Sequence, residues 1–419
     1  MNKKLKIAFF IGTFPVISES WLVEQITDLI DMGVEIDIFA FNKGKASAIS
    51  DKVKKYGLMG RTIYLEFPEN KFHRIALATL AFARCIYYSP ITLFRSLNYK
   101  EYGKSVLTFK YLLWAAPLLG KIDRYDVVHC HFGMIANRYL ILRDILNIRQ
   151  NFIVTFYGQD SSKYIQSKGL HVYDKLKKEA SMILVMTEEM RDRFVGLGFP
   201  PEKLVVHYTG IIPQNYNFNE KSYRFGEKFK IIFVGRFVEK KGIEDLLRAT
   251  RVIVEEYPNV ELHVVGDGDA IYKKNIKELA KRLGVANFIK FEGMLTHQNT
   301  LELFYGMHLM VQPSKKAPNG DTDDLPFVLL EGQASGLPVV STDHVGIPDG
   351  IDNGKTGFIV KEGDFRAVAE KVKAFIENPG LLKEFSLNAR IFVVEKFDLH
   401  KINKRLVSLY KELIIDKHA

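Results

Sequence analysis

Residues 6–41 read KIAFFIGTFPVISESWLVEQITDLIDMGVEIDIFAF, and the order of patterns in this stretch sets the fold class. Lys6 to Gly12 is a continuous apolar run of strand length, as expected for a strand buried on both faces. Gly12-Thr13-Phe14-Pro15 breaks the run, and Ser18-Glu19-Ser20 reads as the cap of a helix opening at Trp21. Leu22, Ile26, Leu29 and Ile30 recur at helical spacing and stop at Gly33, after which Val34 to Phe41 returns as a second strand. Strand, turn, helix, strand is the unit from which parallel sheets are assembled.

The same grammar recurs at Asp126 to His131, Phe152 to Phe156 and Met182 to Met186, which makes residues 1–209 one open α/β domain. Residues 210–228, with Pro213, Asn215, Asn217, Asn219 and mixed charges, read as a linker. A second α/β domain is expected over residues 229–380. Its strands are Ile231 to Val234, Glu261 to Val265, Leu309 to Gln312, Pro338 to Thr342 and Gly357 to Val360, with a helical stripe from Ile243 to Val254. Residues 381–419 are expected as C-terminal helices, the last packing back on the N-terminal domain. Two such domains leave a cleft, and open parallel sheets bind ligands at their strand carboxyl ends.

The chain's 419 residues, 47% hydrophobic, suit two domains and exclude a short fibrous or disulfide-stapled protein. Two cysteines, Cys85 and Cys130, point to a reducing cytosol. The apolar run after Lys3-Lys4 is too short for a signal peptide, and the run from Ile75 to Phe94 is broken by Arg84 and Pro90, so no membrane span is expected. A formal net charge of +10 raises nucleic acid, anionic membrane and anionic small molecules as partners.

Three constellations carry chemistry. In Asp321 to Val340, DTDDLPFVLLEGQASGLPVV, Pro326 suits a first helical position and Gly336-Leu337-Pro338 ends the helix. Asp323 before that helix and Glu331 inside it can reach one ligand from two directions, and the free N–H groups of Phe327 and Val328 favour a phosphate. Read alone, the acidic loop is better explained as a solvated set of caps from Asp321, Asp323 and Asp324. The second constellation, Gly235-Arg236 followed by Lys240-Lys241-Gly242, places an arginine fork and a lysine point charge after a strand, a pairing suited to a diphosphate leaving group or to an exposed basic turn. The third is Gly12, which permits close approach to a ligand or simply a tight turn.

Taken together, VGRFVEKKG, VVGDGD, FEGML and LPFVLLEGQASGLPVVSTDHVGIPDGI resemble the successive motifs of the retaining, nucleotide-sugar-dependent glycosyltransferases of family 4, which have the GT-B fold. The resemblance covers most of the chain and is strongest from Lys230 to Val360. FPVISES, HCHFG and TFYGQD look most like the branch acting on colanic-acid-type exopolysaccharides. It implies a GT-B architecture of two Rossmann-like domains, a nucleotide-diphosphate sugar as co-substrate, and transfer with retention to a glycan or lipid-linked acceptor. By the same resemblance Glu331 holds the donor ribose, Asp323 the donor sugar, and Arg236 and Lys241 the diphosphate. Gly12, Gly266, Met294, Leu295, Phe327 and Val328 complete the donor site, and His131, Tyr157 and Asp160 are acceptor-side candidates. Two positions depart from the family pattern: Asp323 is one methylene shorter than the usual glutamate, and Tyr157 replaces a common histidine and is a poor base at neutral pH.

Asp321-Thr322-Asp323 spells D-x-D but precedes a helix, and His129-Cys130-His131 sends its histidines to one face and its cysteine to the other, so no metal is expected. The Gly266-Asp267-Gly268 run lacks the third glycine of a dinucleotide fingerprint, Walker A is missing, and no RNA- or DNA-binding motif occurs. A non-hydrolysing sugar-nucleotide epimerase shares the architecture and would also use a basic phosphate site. The charge excess is local: from Lys71 to Arg124 nine Lys or Arg face two acids, interleaved with Phe72, Phe82, Tyr87, Tyr88, Phe94 and Trp114. That pattern fits either a solvated helical face or a patch for an anionic membrane leaflet.

Overall fold

A computed structural model of the protein describes residues 4–16, 19–161, 163–322 and 324–415. The chain divides into two compact units. One comprises Met1–Val185, Arg191–His207 and Ile402–Ala419, and the other Met186–Met190 and Tyr208–Lys401.

The first unit is a seven-stranded parallel sheet: β1 (Lys6–Phe14), β2 (Glu35–Lys43), β3 (Thr62–Tyr64), β4 (Val127–His131), β5 (Asn151–Thr155), β6 (Met182–Val185) and β7 (Leu204–Val206), in the order β3-β2-β1-β4-β5-β6-β7. Ile7 pairs with Ile36 on one side and with Val127 on the other, and Ile7 to Ile11 are fully buried, as a central strand covered on both faces requires. Helix Ser20–Asp31 presents Leu22, Ile26 and Leu29 to this core. The helix opens at Ser20 and its N-cap Glu19 makes no capping bond, one residue from the expected opening at Trp21; Ser18, expected in the cap, lies outside the described residues. The C-terminal helix Leu399–Ile415 supplies Leu406, Leu409, Tyr410 and Leu413 to the same core, so it returns to this unit.

The second unit is a six-stranded parallel sheet: β8 (Phe229–Val234), β9 (Val260–Val265), β10 (Ile289–Gly293), β11 (Leu309–Gln312), β12 (Val339–Thr342) and β13 (Gly357–Val360), in the order β10-β9-β8-β11-β12-β13. Both strand orders reverse direction at their first strand, the topology that opens a crevice at the carboxyl ends. Helices Ile243–Glu256 and Phe365–Glu377 cover one face around Leu246, Ile253, Val372 and Phe375. Residues 210–228, read from composition as a linker, pack within this unit: Tyr216 and Tyr223 are buried, and Lys221 donates to the Phe304 carbonyl at 2.9 Å. Their aromatic anchors outweigh the surrounding asparagines.

Candidate active site

In the second unit the candidate residues gather at the strand carboxyl ends. β8 runs out into Gly235 and Arg236, and a short turn at Glu239–Lys241 leads into the Ile243–Glu256 helix. The turn depends on Gly242, at φ 68°, where a Cβ would lie 1.8 Å from the Pro313 carbonyl oxygen. Arg236 is exposed at the strand end, while Lys241 and Lys240 are buried in the turn. Lys240 Nζ reaches Asp321 Oδ1 at 3.3 Å and donates to the Thr322 carbonyl at 3.0 Å, so it moors the acidic loop to the basic turn. The D-x-D reading therefore places Asp321 on a lysine. Asp323 lies outside the described residues.

Gly266 ends β9 at φ 136°, and a Cβ there would meet the Gly235 carbonyl oxygen at 1.9 Å. The glycine thus lets two strand ends touch backbone to backbone, one residue before Arg236. Beyond β10, Met294 projects into solvent, 77% exposed, whereas Leu295 packs on the hydrophobic cluster of Leu301, Leu329 and Leu330. Helix Phe327–Ala334 begins with Pro326 at the N-cap rather than at the first helical position, and no side chain caps it through that residue. The N–H groups of Phe327 and Val328 are its first two, which an α-helix leaves without an internal partner.

Glu331 sits on this helix with 18% of its side chain exposed. Its Oε1 accepts hydrogen bonds from the Tyr216 hydroxyl and from His297 Nε2, both at 3.2 Å, which leaves Oε2 open. The hydrogen bond to Glu331 holds the His297 pKa above its usual value. His297 owes its place to Thr296, whose hydroxyl caps the His297–Tyr305 helix. Tyr216 and His297 were not singled out in the sequence, because the first lies in the linker-like stretch and the second in an ordinary helix start. Val345, after β12, is held at φ 44°, a left-handed conformation that a β-branched residue enters at a cost.

In the first unit β1 continues through Phe14, so Gly12 lies in the strand and not in a turn. Its carbonyl accepts from Asn42 Nδ2 at 3.4 Å, and a Cβ would make only an ordinary contact with Ile135. At the end of β4, His129 and His131 stack at 4.2 Å while Cys130 faces the other way. His129 bridges the Tyr410 hydroxyl at 2.6 Å and the Thr155 hydroxyl at 2.7 Å, a packed structural role. His131 Nδ1 shares a 2.9 Å hydrogen bond with the Tyr157 hydroxyl, and its Nε2 has no partner. Burial, helped by His207, pushes the His131 pKa down to about 3, so its ring is neutral at physiological pH.

Burial raises the Tyr157 phenol well above its usual range, in keeping with a hydrogen-bonding rather than a basic role. Asp160 is buried and accepts from the backbone N–H groups of Gly133 at 2.6 Å and Tyr157 at 2.8 Å. It therefore shapes the loop that presents His131 and Tyr157. Trp21 packs on Tyr157 with ring centroids 4.7 Å apart, and burial raises the carboxyl pKa of nearby Glu19. Sequence reading treated both as helix-start residues.

Two parallel-sheet Rossmann-like units, one carrying a basic turn, an accessible carboxylate and open helix amides at its strand ends, have the GT-B fold. Family models agree: glycosyltransferase family 4 matches residues 18–215, and glycosyl transferases group 1 matches residues 215–392. The chain belongs to the family-4 glycosyltransferases. It is 27% identical to WcaL of Salmonella typhimurium, a glycosyltransferase assigned to colanic acid biosynthesis, over 98% of this chain and 100% of that protein. It is 26% identical to the amylovoran biosynthesis glycosyltransferase AmsK of Erwinia amylovora, with 98% and 100% covered. Among solved structures, Anabaena HepE in complex with UDP superposes with a TM-score of 0.70 at 18% identity, covering 98% of this chain and 100% of that one. Among the described residues no helix is long and apolar enough to cross a membrane.

Proposed function

We propose that the enzyme transfers a hexose from a nucleoside-diphosphate sugar to a glycan or lipid-linked acceptor in surface exopolysaccharide synthesis, with retention of configuration, at the cytoplasmic face of the membrane. The observation that carries this reading is the grouping of Arg236, Lys241, Glu331 and the Phe327 and Val328 amides in one unit. Arg236 and Lys241 take the diphosphate, and with the helix amides they stabilise charge that grows on the β-phosphate as the sugar departs. No divalent cation is needed in this scheme. Glu331 Oε2 receives the ribose hydroxyls, with Oε1 oriented by Tyr216 and His297. Gly266 supports the basic turn and Met294 and Leu295 border the base; Asp323 and Gly12 join the donor site by family resemblance. His131 and Tyr157 meet the acceptor, with Asp160 positioning them.

The names WcaL and AmsK carry support the exopolysaccharide reading, and UDP and UDP-glucose in the HepE complexes put UDP-sugars first in a donor panel. A thermal-shift series of UDP-, GDP- and ADP-sugars should show one donor class stabilising the protein, because a ligand bound to the folded state raises its melting temperature. Arg236→Ala should lower transfer at least tenfold; near-normal turnover in that variant would sink the assignment.

A further inference from the structure

Helix Lys71–Tyr88 turns much of its apolar bulk outward. Its fully buried residues are the small Ala78, Ala81 and Cys85, with Leu77 and Phe82 partly buried against the same cluster, while Phe72, Ile75, Leu80, Ile86 and Tyr87 are exposed, Phe72 by 85% and Leu80 by 68%. Helix Pro90–Ser96 extends the apolar face with exposed Ile91 and Phe94. From Ile75 to Ala83 no residue is charged, and Lys71, Arg74 and Arg84 flank that stretch. A water-facing helix places its large apolar side chains on the core side, so an apolar surface of this extent marks a binding face.

Small inward residues also leave space. Beneath the helix lies a cavity of about 320 Å³, walled by Leu77, Leu80, Ala81, Leu113 and Ala116. This volume falls within the range of small-molecule pockets. Two half-buried cations, Arg84 and Lys121, and one carboxylate, Glu66, line it as well. Arg84 Nη2 donates to the Leu119 carbonyl at 2.9 Å, but its buried Nε makes no hydrogen bond, a donor left over beside the cavity. Tyr64, also in the wall, donates to the Phe14 carbonyl at 3.1 Å, which sets the cavity beside the carboxyl end of β1. A second, polar pocket of about 400 Å³ adjoins across Glu66, lined by Asn42, Lys43 and His73.

We propose that this cavity and the apolar face over it form the site for a lipid phosphate: the hydrocarbon chain enters between Leu80 and Leu113, and the anionic head lies on Arg84 and Lys121. Charge complementarity selects the head, since nine cations face two acids from Lys71 to Arg124. The apolar walls select a chain. The site would hold the carrier end of a lipid-linked acceptor and leave the polar pocket to its glycan. This inference rests on the reading that the acceptor is lipid-linked.

The test measures binding of dodecyl phosphate, below its micellar concentration, to the full chain, beside inorganic phosphate and dodecyl maltoside. The variants are Lys121→Glu for the head and Leu80→Glu for the chain; neither side chain has a hydrogen-bond or ion-pair partner, and Leu80 is exposed. Expected is dodecyl phosphate binding at least tenfold tighter than either control, weakened at least tenfold in both variants with unchanged melting temperatures. Parity with inorganic phosphate would reduce the site to an anion patch, and parity with dodecyl maltoside to general greasiness; either overturns the proposal. A wild-type dimer that Leu80→Glu dissociates, with no amphiphile bound, would give the face to a second copy and also overturn it. Binding is read without donor, so its failure leaves the donor-site reading intact, and loss of the UDP-sugar thermal shift would strike that reading alone.

Discussion

Glu331→Gln separates a donor contact from a structural one. The substitution keeps the shape of the side chain but turns one acceptor oxygen into an NH2 donor and removes its charge. In the free protein the loss falls on the His297 pair, where one partner is 60% exposed, so the cost to stability is about 1 kcal/mol or less. With donor bound, Oε2 is the open acceptor, and a hydrogen bond from a ribose hydroxyl to a carboxylate is worth about 1.5–3 kcal/mol. At about 1.4 kcal/mol per tenfold, donor affinity should fall roughly 10- to 150-fold. Isothermal titration with the stabilising sugar nucleotide measures the affinity, and thermal unfolding checks the fold. The His297 pKa should also drop when its carboxylate partner is lost, which NMR titration of the ring detects. Donor affinity within threefold of wild type, with the fold intact, would refute the assignment of Glu331 to the ribose.

Acid should destabilise the first unit. Burial holds His131 down to about 3 and His207 to about 4, whereas the unfolded chain protonates them near 6.5, so the unfolded state binds more protons and stability falls as pH drops from about 6.5 toward 4. Both tryptophans, Trp21 and Trp114, lie in this unit, so urea unfolding followed by their fluorescence at pH 7 and pH 5 reads it directly; equal midpoints would contradict the burial argument. Val345→Gly should stabilise the second unit by about 0.5–1 kcal/mol, the relief of a left-handed β-branched residue less the added freedom of glycine in the unfolded chain; a lowered melting temperature would show that the valine side chain earns its strain through packing. Transfer activity should be unchanged by EDTA if Arg236 and Lys241 carry the diphosphate charge, and loss of activity restored by added magnesium would overturn that scheme.

The central strands were legible because burial on both faces leaves a contiguous apolar signature: β1, β4, β5, β8 and β11 lie within a residue or two of where the apolar runs put them. The edge strands β3 and β7, three residues each, carry no period long enough to read. Composition did not reveal that residues 210–228 pack, because two tyrosines, not the average polarity, decide whether a segment packs. Within the candidate site, the residues that follow a strand along the chain, such as Arg236 and Lys241, were visible from order alone. The partners that orient Glu331 were not. Tyr216 and His297 lie 115 and 34 positions away, and only folding brings them to one oxygen.

The hydroxyl of Tyr410 on His129 has a consequence for biosynthesis. The His129 niche is completed by a helix whose Tyr410 is translated some 280 residues later, after the entire second unit has been translated. During synthesis the first sheet lacks Leu406, Leu409 and Leu413 from its core until the last helix is made, so it cannot complete its packing early, as N-terminal domains usually do. A ribosome stalled before Leu399 would therefore hold a nascent chain whose earliest-made half is still incomplete, a species that chaperones should recognise and the finished enzyme should not resemble.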